Sequence, residues 1–308
     1  MMRVAVVGVG HLGRHHARII GSLPDVQLTA VADVNRARAD EIAAANGARA
    51  VYDYRDLIGA VDAVTIAVPT ALHAEVGRAF LDAGVPALVE KPLARSVEEA
   101  DALIGAAARR GVALAVGHTE RFNPAVAVAS PLLTDPRFIE VHRLGTFPER
   151  SLDIDVVFDL MIHDLDVVLS IVRSDVESVE AVGVPVVTPR VDIANARLRF
   201  ANGCIVNLTA SRISRDRVRK IRFFQPAAYV SIDYAAQKVE MWRLVKGEGQ
   251  PSIQGGELEV ANEEPLKREL ADFVDAVRNR RAPLVTGDQG RRALALAQTI
   301  TDRIAASL

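Results

Sequence analysis

Short apolar runs alternate with segments of helical period from residue 3 to about residue 118. The runs are apolar on both faces, which is typical of buried parallel strands, and the helical segments end in several cases at a glycine, as a helix C-cap requires. The apolar runs are RVAVVG, QLTAVAD, DAVTIAVP, PALVEKP and VALAVGH, and the helical segments include RHHARIIGSL, NRARADEIAAANG, LHAEVGRAFLDAG and SVEEADALIGAAARRG. Strands that alternate with helices predict an α/β fold with a doubly wound parallel sheet.

The pattern changes after about residue 119. Polar and apolar residues alternate on both sides of Asn202-Gly203, a strong signal for a two-residue hairpin. Further alternating runs follow, and the chain closes with two amphipathic segments; these are KIRFFQ, AYVSIDY, KVEMWRLV, EEPLKRELADFVDAVRNRR and DQGRRALALAQTITDRIAASL. We expect a first domain over residues 1–118 and a second, α+β domain with a large open, mainly antiparallel sheet over residues 119–308. In this division the C-terminal helices can return to pack on the first domain.

Composition narrows the class of protein. The chain has 308 residues, half of them hydrophobic, and a formal net charge of −2, so nothing suggests electrostatic capture by nucleic acid or an anionic membrane. Cys204 is the single cysteine, which excludes an intrachain disulfide and a cysteine-rich zinc site. Neither a signal peptide nor a membrane-spanning run is visible, so we expect a soluble, cytoplasmic protein.

GVGHLG stands directly between a predicted strand and a predicted helix. Gly8 allows the tight turn, Gly10 lets the backbone approach a pyrophosphate, and Gly13 permits close packing of helix and sheet. Asp33 falls twenty residues after Gly13, where a carboxylate accepts hydrogen bonds from the adenosine ribose. The sequence therefore predicts a Rossmann domain that binds NAD. Arg36 and Arg38 keep NADP open, and a glycine-rich turn without a dinucleotide is the alternative.

Three histidines crowd the same turn. We expect His11 to face the cofactor, and His15 and His16 to lie on a solvated face of the following helix.

The stretch VVFDLMIHDLDVV places four titratable groups in an apolar run. Asp159, His163 and Asp166 follow an i, i+4, i+7 spacing and would share one helix face, whereas Asp164 lies about 100° away from His163. A metal site, a solvent-facing polar stripe and a proton-transfer site are the three interpretations. Oxidation of an alcohol by a nicotinamide needs a base rather than a metal, and a histidine with an ordinary pKa of about 6.5 suits that role. We therefore expect proton transfer and no metal.

A third motif, PALVEKPLA, ends a strand with Glu90, Lys91 and Pro92, at the edge where parallel sheets bind ligands. On these residues alone, Lys91 could equally be a solvated strand end.

Together, the glycine fingerprint, the EKP sequence and the D-x-x-x-H sequence resemble the glucose-fructose oxidoreductase/inositol dehydrogenase/MocA family over essentially the whole chain. The resemblance implies a Rossmann domain and a sheet domain that often builds oligomers, here a homodimer or homotetramer. It also implies that Lys91, Asp159 and His163 are the catalytic residues, with Lys91 and His163 both open as the final base. Asp164 and Asp166 are expected to be structural or to lie behind the catalytic residues.

A finer resemblance is to the UDP-N-acetylglucosamine 3-dehydrogenases, through GHTERFNPAV at 117–126 and FPERSLDIDVVFDLMIHDLDVV at 147–168. It implies oxidation of the sugar 3-hydroxyl, whose ketone product a partner aminotransferase can convert. A dehydrogenase of a free sugar or polyol such as inositol, and a non-catalytic NAD(H) redox sensor, are the rivals.

The expected contacts follow from these motifs. The cofactor contacts are Gly8, Gly10, His11, Leu12, Gly13, Asp33, Pro69 and Glu90, and the substrate contacts are Glu120, Arg121 and Asn123. For the basic run SRISRDRVRKIR, a solvated strand face is favoured over a diphosphate contact.

Overall fold

The computed structural model describes residues 1–147, 154–246 and 250–307. The chain divides into two compact units. Unit 1 comprises Met1–Thr119 and Glu264–Leu294, and unit 2 comprises Glu120–Glu263 and Ala295–Leu308. Unit 1 is therefore assembled from two separate stretches of sequence.

Helices occur in both units. In chain order they are α1 Gly13–Ser22, α2 Arg36–Asn46, α3 His73–Asp82, α4 Val97–Arg110, α5 Pro124–Ala129, α6 Ile162–Ile171, α7 Pro265–Asn279 and α8 Gly287–Ala305. Short 3₁₀ turns lie at Tyr54–Leu57, Thr70–Leu72, Thr119–Phe122 and Ser130–Leu132, and a π-helical turn at Val157–Met161 leads directly into α6.

Strands form one sheet in each unit. In unit 1 they are β1 Met2–Val7, β2 Val26–Ala32, β3 Arg49–Val51, β4 Ala63–Ile66, β5 Ala87–Glu90 and β6 Leu114–Gly117. In unit 2 they are β7 Phe138–Leu144, β8 Val176–Val184, β9 Ile193–Phe200, β10 Ile205–Ser211, β11 Val218–Gln225, β12 Ala228–Asp233, β13 Lys238–Val245 and β14 Ser252–Leu258.

The unit 1 sheet has the order β3-β2-β1-β4-β5-β6, and its strands pair in parallel. The strand order reverses between β1 and β4. The crevice beyond the carboxyl ends of these two strands is where such sheets bind ligands. Gly47 and Gly111 cap α2 and α4 in the left-handed conformation, as their place at the ends of the helical patterns predicts. The doubly wound parallel sheet is confirmed.

A buried cluster between helix and sheet holds the first half of unit 1 together. The face of α1 that carries Ala17 and Ile20 packs in one core with Val4 of β1 and with Leu270 and Phe273 of α7. Burying side chains of this size stabilises the unit by about 1.5–3 kcal/mol for each large residue. This packing brings α7 into unit 1 although it is distant in sequence.

The unit 2 sheet has the order β14-β13-β12-β11-β7-β10-β9-β8. Its pairs are antiparallel except β7 with β10, which confirms the predicted mainly antiparallel sheet. The hairpin β9–β10 turns at Asn202-Gly203, where Gly203 has φ 84° and its N–H donates to Phe200 O at 2.8 Å. Along β9, residues alternate between buried and exposed, so one face of the sheet is packed and the other is open.

Among the described residues, we find no helix with the length and apolar character that a membrane crossing requires.

Candidate active site

The glycine turn of unit 1 follows β1 and leads into α1. Gly8 has φ +82°, and a Cβ on it would lie 2.7 Å from Ala67 O, beyond the end of β4. A Cβ on Gly13 would lie 1.8 Å from Gly8 O, so this position needs glycine for the protein's own packing. A Cβ on Gly10 would meet only Arg38 Nη1, at 3.9 Å. The space beside Gly10 is open, which fits the close approach of a dinucleotide pyrophosphate to this backbone.

The Asp33 carboxylate is tied to the glycine turn. Its Oδ2 accepts from Val9 N at 3.0 Å and its Oδ1 from Asn35 N at 2.9 Å, while Arg38 Nη1 lies 3.6 Å from Oδ2. These contacts leave each oxygen with a further lone pair and place a negative charge beyond β2, where an adenosine ribose would be held. The guanidinium of the second arginine, Arg36, lies over the Tyr52 ring, 4.4 Å from its centroid.

The turn residues between the glycines are exposed. Leu12 is 41% exposed, and the His11 ring stands edge-on to His15 with 5.9 Å between centroids. Both side chains are accessible to a ligand at the start of α1, where N–H groups favour an anion.

The prediction for His16 was wrong. His16 is fully buried rather than solvated, and its Nε2 lies 3.0 Å from Glu90 Oε1. A helix of period 3.6 turns Ala17 and Ile20 toward the core, and His16 beside them follows because a buried carboxylate gives it a partner.

Glu90, Lys91 and Pro92 occupy the carboxyl end of β5. Burial raises the pKa of Glu90, but the hydrogen bond and charge of His16, the Lys91 charge and the Lys91 N–H outweigh it, so the pKa is lowered. Glu90 is therefore an anion at neutral pH, with its oxygens directed at the protein. Lys91 is half-buried, and the Lys91–Pro92 peptide is cis.

A buried histidine beside this segment was not predicted. His73, the first residue of α3, has Nδ1 2.9 Å from Pro92 O and Nε2 2.9 Å from Val68 O. It therefore lies between the segment after β5 and the one after β4, which carries Pro69, and as a neutral imidazole it donates to one of the two carbonyls. Burial lowers the pKa of His73 against the raising effect of the two carbonyls. One histidine in a helical pattern gives no sequence signal for this role.

In unit 2, Asp159 and His163 lie on one continuous helical segment. Asp159 belongs to the π-helical turn, in which Ile162 N donates to Val157 O, and His163 follows in the first turn of α6. Both side chains are half-buried, whereas the neighbouring Asp164 and Asp166 are 1% exposed. The predicted i, i+4 spacing of Asp159 and His163 assumed an α-helix throughout, whereas Asp159 lies in a π-turn. Single π-turns occur often at functional sites.

A buried charge cluster includes Asp164, the residue after His163. Arg143 of β7 donates to Asp164 through Nε at 2.6 Å and Nη2 at 3.0 Å, and through Nη1 to Glu120 at 3.0 Å. Burial alone would lower the pKa of Arg143, but the two carboxylates raise it above its ordinary value, so it stays charged. Arg121 Nη1 lies 3.5 Å from Asp166 Oδ1. Helix α6 is thus held by ion pairs at two of the three residues that follow His163.

The residues predicted to touch substrate are engaged in this cluster and near it. Asn123 is 2% exposed; it caps α5 by accepting from Ala125 N and donates to Tyr234 O. Its Nδ2 also lies 3.3 Å from Glu120 Oε2. Substrate contacts by Glu120, Arg121 and Asn123 remain a prediction.

The start of the helical segment rests on a second buried ion pair. Arg212 Nε lies 3.2 Å from Asp192 Oδ1, and its Nη2 bonds Val191 O at 3.0 Å and the Ile154 carbonyl. Arg212 is 1% exposed, so the expectation of a solvated face fails for this member of the basic run. Residues 148–153 of the stretch at 147–168 lie outside the described residues.

A glycine turn, a carboxylate beyond β2 and open space beside Gly10 fit a dinucleotide, and the fold is that of an NAD-binding oxidoreductase. Comparison with known proteins agrees. Residues 2–118 match the model of an oxidoreductase family with an NAD-binding Rossmann fold, and residues 128–225 match the GFO/IDH/MocA C-terminal domain. The chain belongs to the Gfo/Idh/MocA oxidoreductase family, as its motifs predicted, and NAD is its cofactor.

Individual relatives cover the whole chain. The UDP-N-acetylglucosamine 3-dehydrogenase of Acidithiobacillus ferrooxidans is 40% identical over 310 residues, covering 100% of this chain and 98% of the relative. A solved structure of that enzyme superposes with a TM-score of 0.93 at 39% identity, covering 99% of this chain and 98% of the other. The scyllo-inositol 2-dehydrogenase (NAD(+)) of Bacillus subtilis is 27% identical over 305 residues, covering 92% of this chain and 89% of the relative.

Proposed function

We propose that this protein oxidises the 3-hydroxyl of UDP-N-acetylglucosamine to a ketone with NAD. The observation that carries the proposal is the 40% identity, over the full chain, with an enzyme of that name. The half-buried Lys91 and His163 support it, since both are placed beside buried charges that hold their segments in position.

The proposed chemistry removes one proton and one hydride from the same alcohol. His163 accepts the hydroxyl proton, and Lys91 hydrogen-bonds the hydroxyl oxygen and stabilises its developing negative charge. Lys91 is the alternative final base. Asp159, one turn before His163, binds the sugar or orients the imidazole. Bound NAD supplies the hydride acceptor, so the products are the ketone, NADH and a proton.

The test is NADH formation by the purified protein with NAD and UDP-N-acetylglucosamine, with a ketone trap present because oxidation by NAD can be unfavourable. Free N-acetylglucosamine, inositol and NADP run in parallel. Lys91→Ala and His163→Ala should each lose turnover by roughly 10²–10⁴-fold. Lys267→Ala, at an exposed position on α7, is the matched control and should retain the wild-type rate.

Two results would reject the substrate. Turnover of inositol or free sugar in preference to the nucleotide sugar would make the protein a polyol or sugar dehydrogenase. Tight NADH binding with no turnover of any alcohol would favour a redox sensor, provided that His163→Ala binds NADH as tightly as wild type.

We also propose that the protein acts as a homodimer or homotetramer in the cytoplasm. The open face of the unit 2 sheet supports the oligomer, because it carries a row of aromatic side chains at paired positions. These are Phe138, Phe224, Tyr229 and Trp242. Phe224 and Trp242 are 38% and 42% exposed. The molar mass in solution, by light scattering, tests it; a monomer of 33.2 kDa would reject it.

The product, a 3-keto nucleotide sugar, suits an aminotransferase that would convert the ketone to an amine. Adding such an enzyme with an amino donor to the assay should consume the ketone and replace the chemical trap.

A further inference from the structure

The Glu90 carboxylate lies beneath the strand end that carries Lys91. Its Oε1 is 3.0 Å from His16 Nε2, and its Oε2 accepts from the Lys91 backbone N–H at 3.2 Å. The side chain thus connects helix α1 to the first residue after β5. Both contacts are in unit 1, and Glu90 is 5% exposed.

Gly117 makes room for this arrangement. It is paired with Glu90 across β5 and β6, and a Cβ on it would lie 2.9 Å from Glu90 Oε2. The carboxylate therefore occupies the volume that a side chain at residue 117 would take. With His16 on one side and Gly117 on the other, it has little freedom to move.

The same segment is held from its other end. Pro92 follows Lys91 in the chain, and its carbonyl oxygen lies 2.9 Å from His73 Nδ1. His73 Nε2 lies 2.9 Å from Val68 O. Buried histidines from two helices thus contact the residues on both sides of Lys91, His16 at the Glu90 carboxylate and His73 at the Pro92 carbonyl.

The acceptor decides which group donates in the hydrogen bond between His16 and Glu90. Glu90 is an anion, so His16 Nε2 donates the proton. His16 Nδ1 is buried and has no hydrogen-bond partner among the described residues, so the ring makes its hydrogen bond through Nε2. The contact is therefore a buried hydrogen bond from the His16 Nε2–H group to the Glu90 carboxylate.

We propose that His16 and Glu90 are positioning residues of the reaction, holding the Lys91 backbone so that its ammonium or amine reaches the substrate hydroxyl. The inference rests on the proposed function, in which Lys91 touches that hydroxyl. Neither residue touches the reacting atoms; both act through Lys91.

His16→Leu tests the pair because it keeps a buried side chain and removes the N–H donor. We expect kcat to fall roughly a hundredfold, the loss typical of a catalytic group displaced by about 1 Å, while the Kd for NADH changes by less than about threefold. His16→Gln retains a donor and should recover most of kcat. His15→Gln, one residue earlier on the half-exposed side of α1, is the control and should match wild type.

A variant with little change of shape covers the case in which His16→Leu does not fold. Glu90→Gln removes the charge, keeps one carbonyl oxygen and replaces the other oxygen by an NH2 group with two N–H donors. It should lose kcat by roughly tenfold at saturating NAD, where a change in cofactor affinity does not limit the rate. Normal kcat in the folded Glu90→Gln protein would overturn the proposal.

A second readout does not depend on the substrate. Limited acetylation of the NADH-bound protein, followed by mass spectrometry, gives the labelling of Lys91 relative to Lys220 and Lys267. The ratio should change at least twofold in His16→Leu and return toward wild type in His16→Gln. An unchanged ratio, or unchanged kcat with a lower Tm, would mean that His16 is only structural. If wild type fails to oxidise the nucleotide sugar but the ratio still shifts, the proposed function fails and the positioning of Lys91 stands.

Discussion

The Arg143 guanidinium holds Asp164 with two hydrogen bonds, of 2.6 and 3.0 Å, immediately after His163 in the chain. Arg143 projects from a central strand of the unit 2 sheet and is 4% exposed. Its third contact, to Glu120, joins the turn at the beginning of the unit to the same guanidinium. One side chain thus fixes helix α6 against the sheet.

Replacing Arg143 should destabilise unit 2 strongly. Arg143→Met leaves Asp164 and Glu120 without their cation in a buried site, and breaking such a pair costs about 3–5 kcal/mol of the free energy of unfolding. The control is Arg222→Met on β11, where the pair with Glu140 is about one-third exposed on each side and is worth about 0–1 kcal/mol. Urea unfolding of both variants checks this; equal losses would contradict it.

Two substitutions in the glycine turn should distinguish its role in folding from its role in cofactor binding. Gly10→Ala should leave Tm close to wild type, because its Cβ would meet only Arg38 Nη1 at 3.9 Å, yet weaken NADH binding tenfold or more. Gly13→Ala should instead lower Tm, since its Cβ would lie 1.8 Å from Gly8 O. Calorimetry and fluorescence titration with NADH measure the two effects.

Gly21→Ala is the control for these variants. It lies on the same helix with nothing within 4 Å of the added methyl, so a gain of about 0.5–1 kcal/mol is expected. NADH affinity that is unchanged in Gly10→Ala would mean that the pyrophosphate binds elsewhere.

Asp33 should decide between NAD and NADP. Asp33→Ser removes the negative charge that opposes a 2′-phosphate and leaves Arg38, 3.6 Å from that carboxylate, able to contact it. We expect kcat/KM for NAD to fall and that for NADP to rise, shifting their ratio by at least tenfold toward NADP. The control is Glu41→Ser on the exposed side of α2. An unchanged ratio would place the ribose away from Asp33.

The sequence predicts most of the fold because periodicity and turn chemistry are local. The hairpin at Asn202-Gly203 and the glycine C-caps of α2 and α4 lie where their residues predict them. The strands β3, β7, β8 and β14 were not predicted. β3 has three residues and β14 is mostly exposed, so neither shows the alternation that identifies a strand.

Buried polar contacts are less predictable because they join residues that are distant in sequence. His16 and Glu90 are 74 positions apart, and Arg143 and Asp164 are 21 apart. A single sequence gives each residue type but not its partner. The assumed α-helical spacing of Asp159 and His163 likewise could not reveal the π-turn, whose extra residue depends on packing.

Asp192 should make the protein sensitive to acid. Burial opposes its charge, but N–H groups of Val186, Val187 and Thr188 and the Thr188 hydroxyl hold the pKa at about 2, below the ordinary 3.8. A carboxyl whose pKa is lowered by folding stabilises the folded state above its unfolded pKa. That contribution is lost as pH falls from about 4 toward 2.

Asp192→Asn tests both this pH dependence and the anchor of the helical segment that carries His163. At pH 7 the variant should have a lower Tm, because Arg212 loses its buried partner beside the Ile154 carbonyl. The difference from wild type should shrink as pH falls from 4 to 2. Asp216→Asn, in the exposed loop after β10, is the control and should show no such convergence. Parallel Tm curves for Asp192→Asn and wild type would show that Asp192 does not titrate in this window, and that its pKa is not lowered by folding.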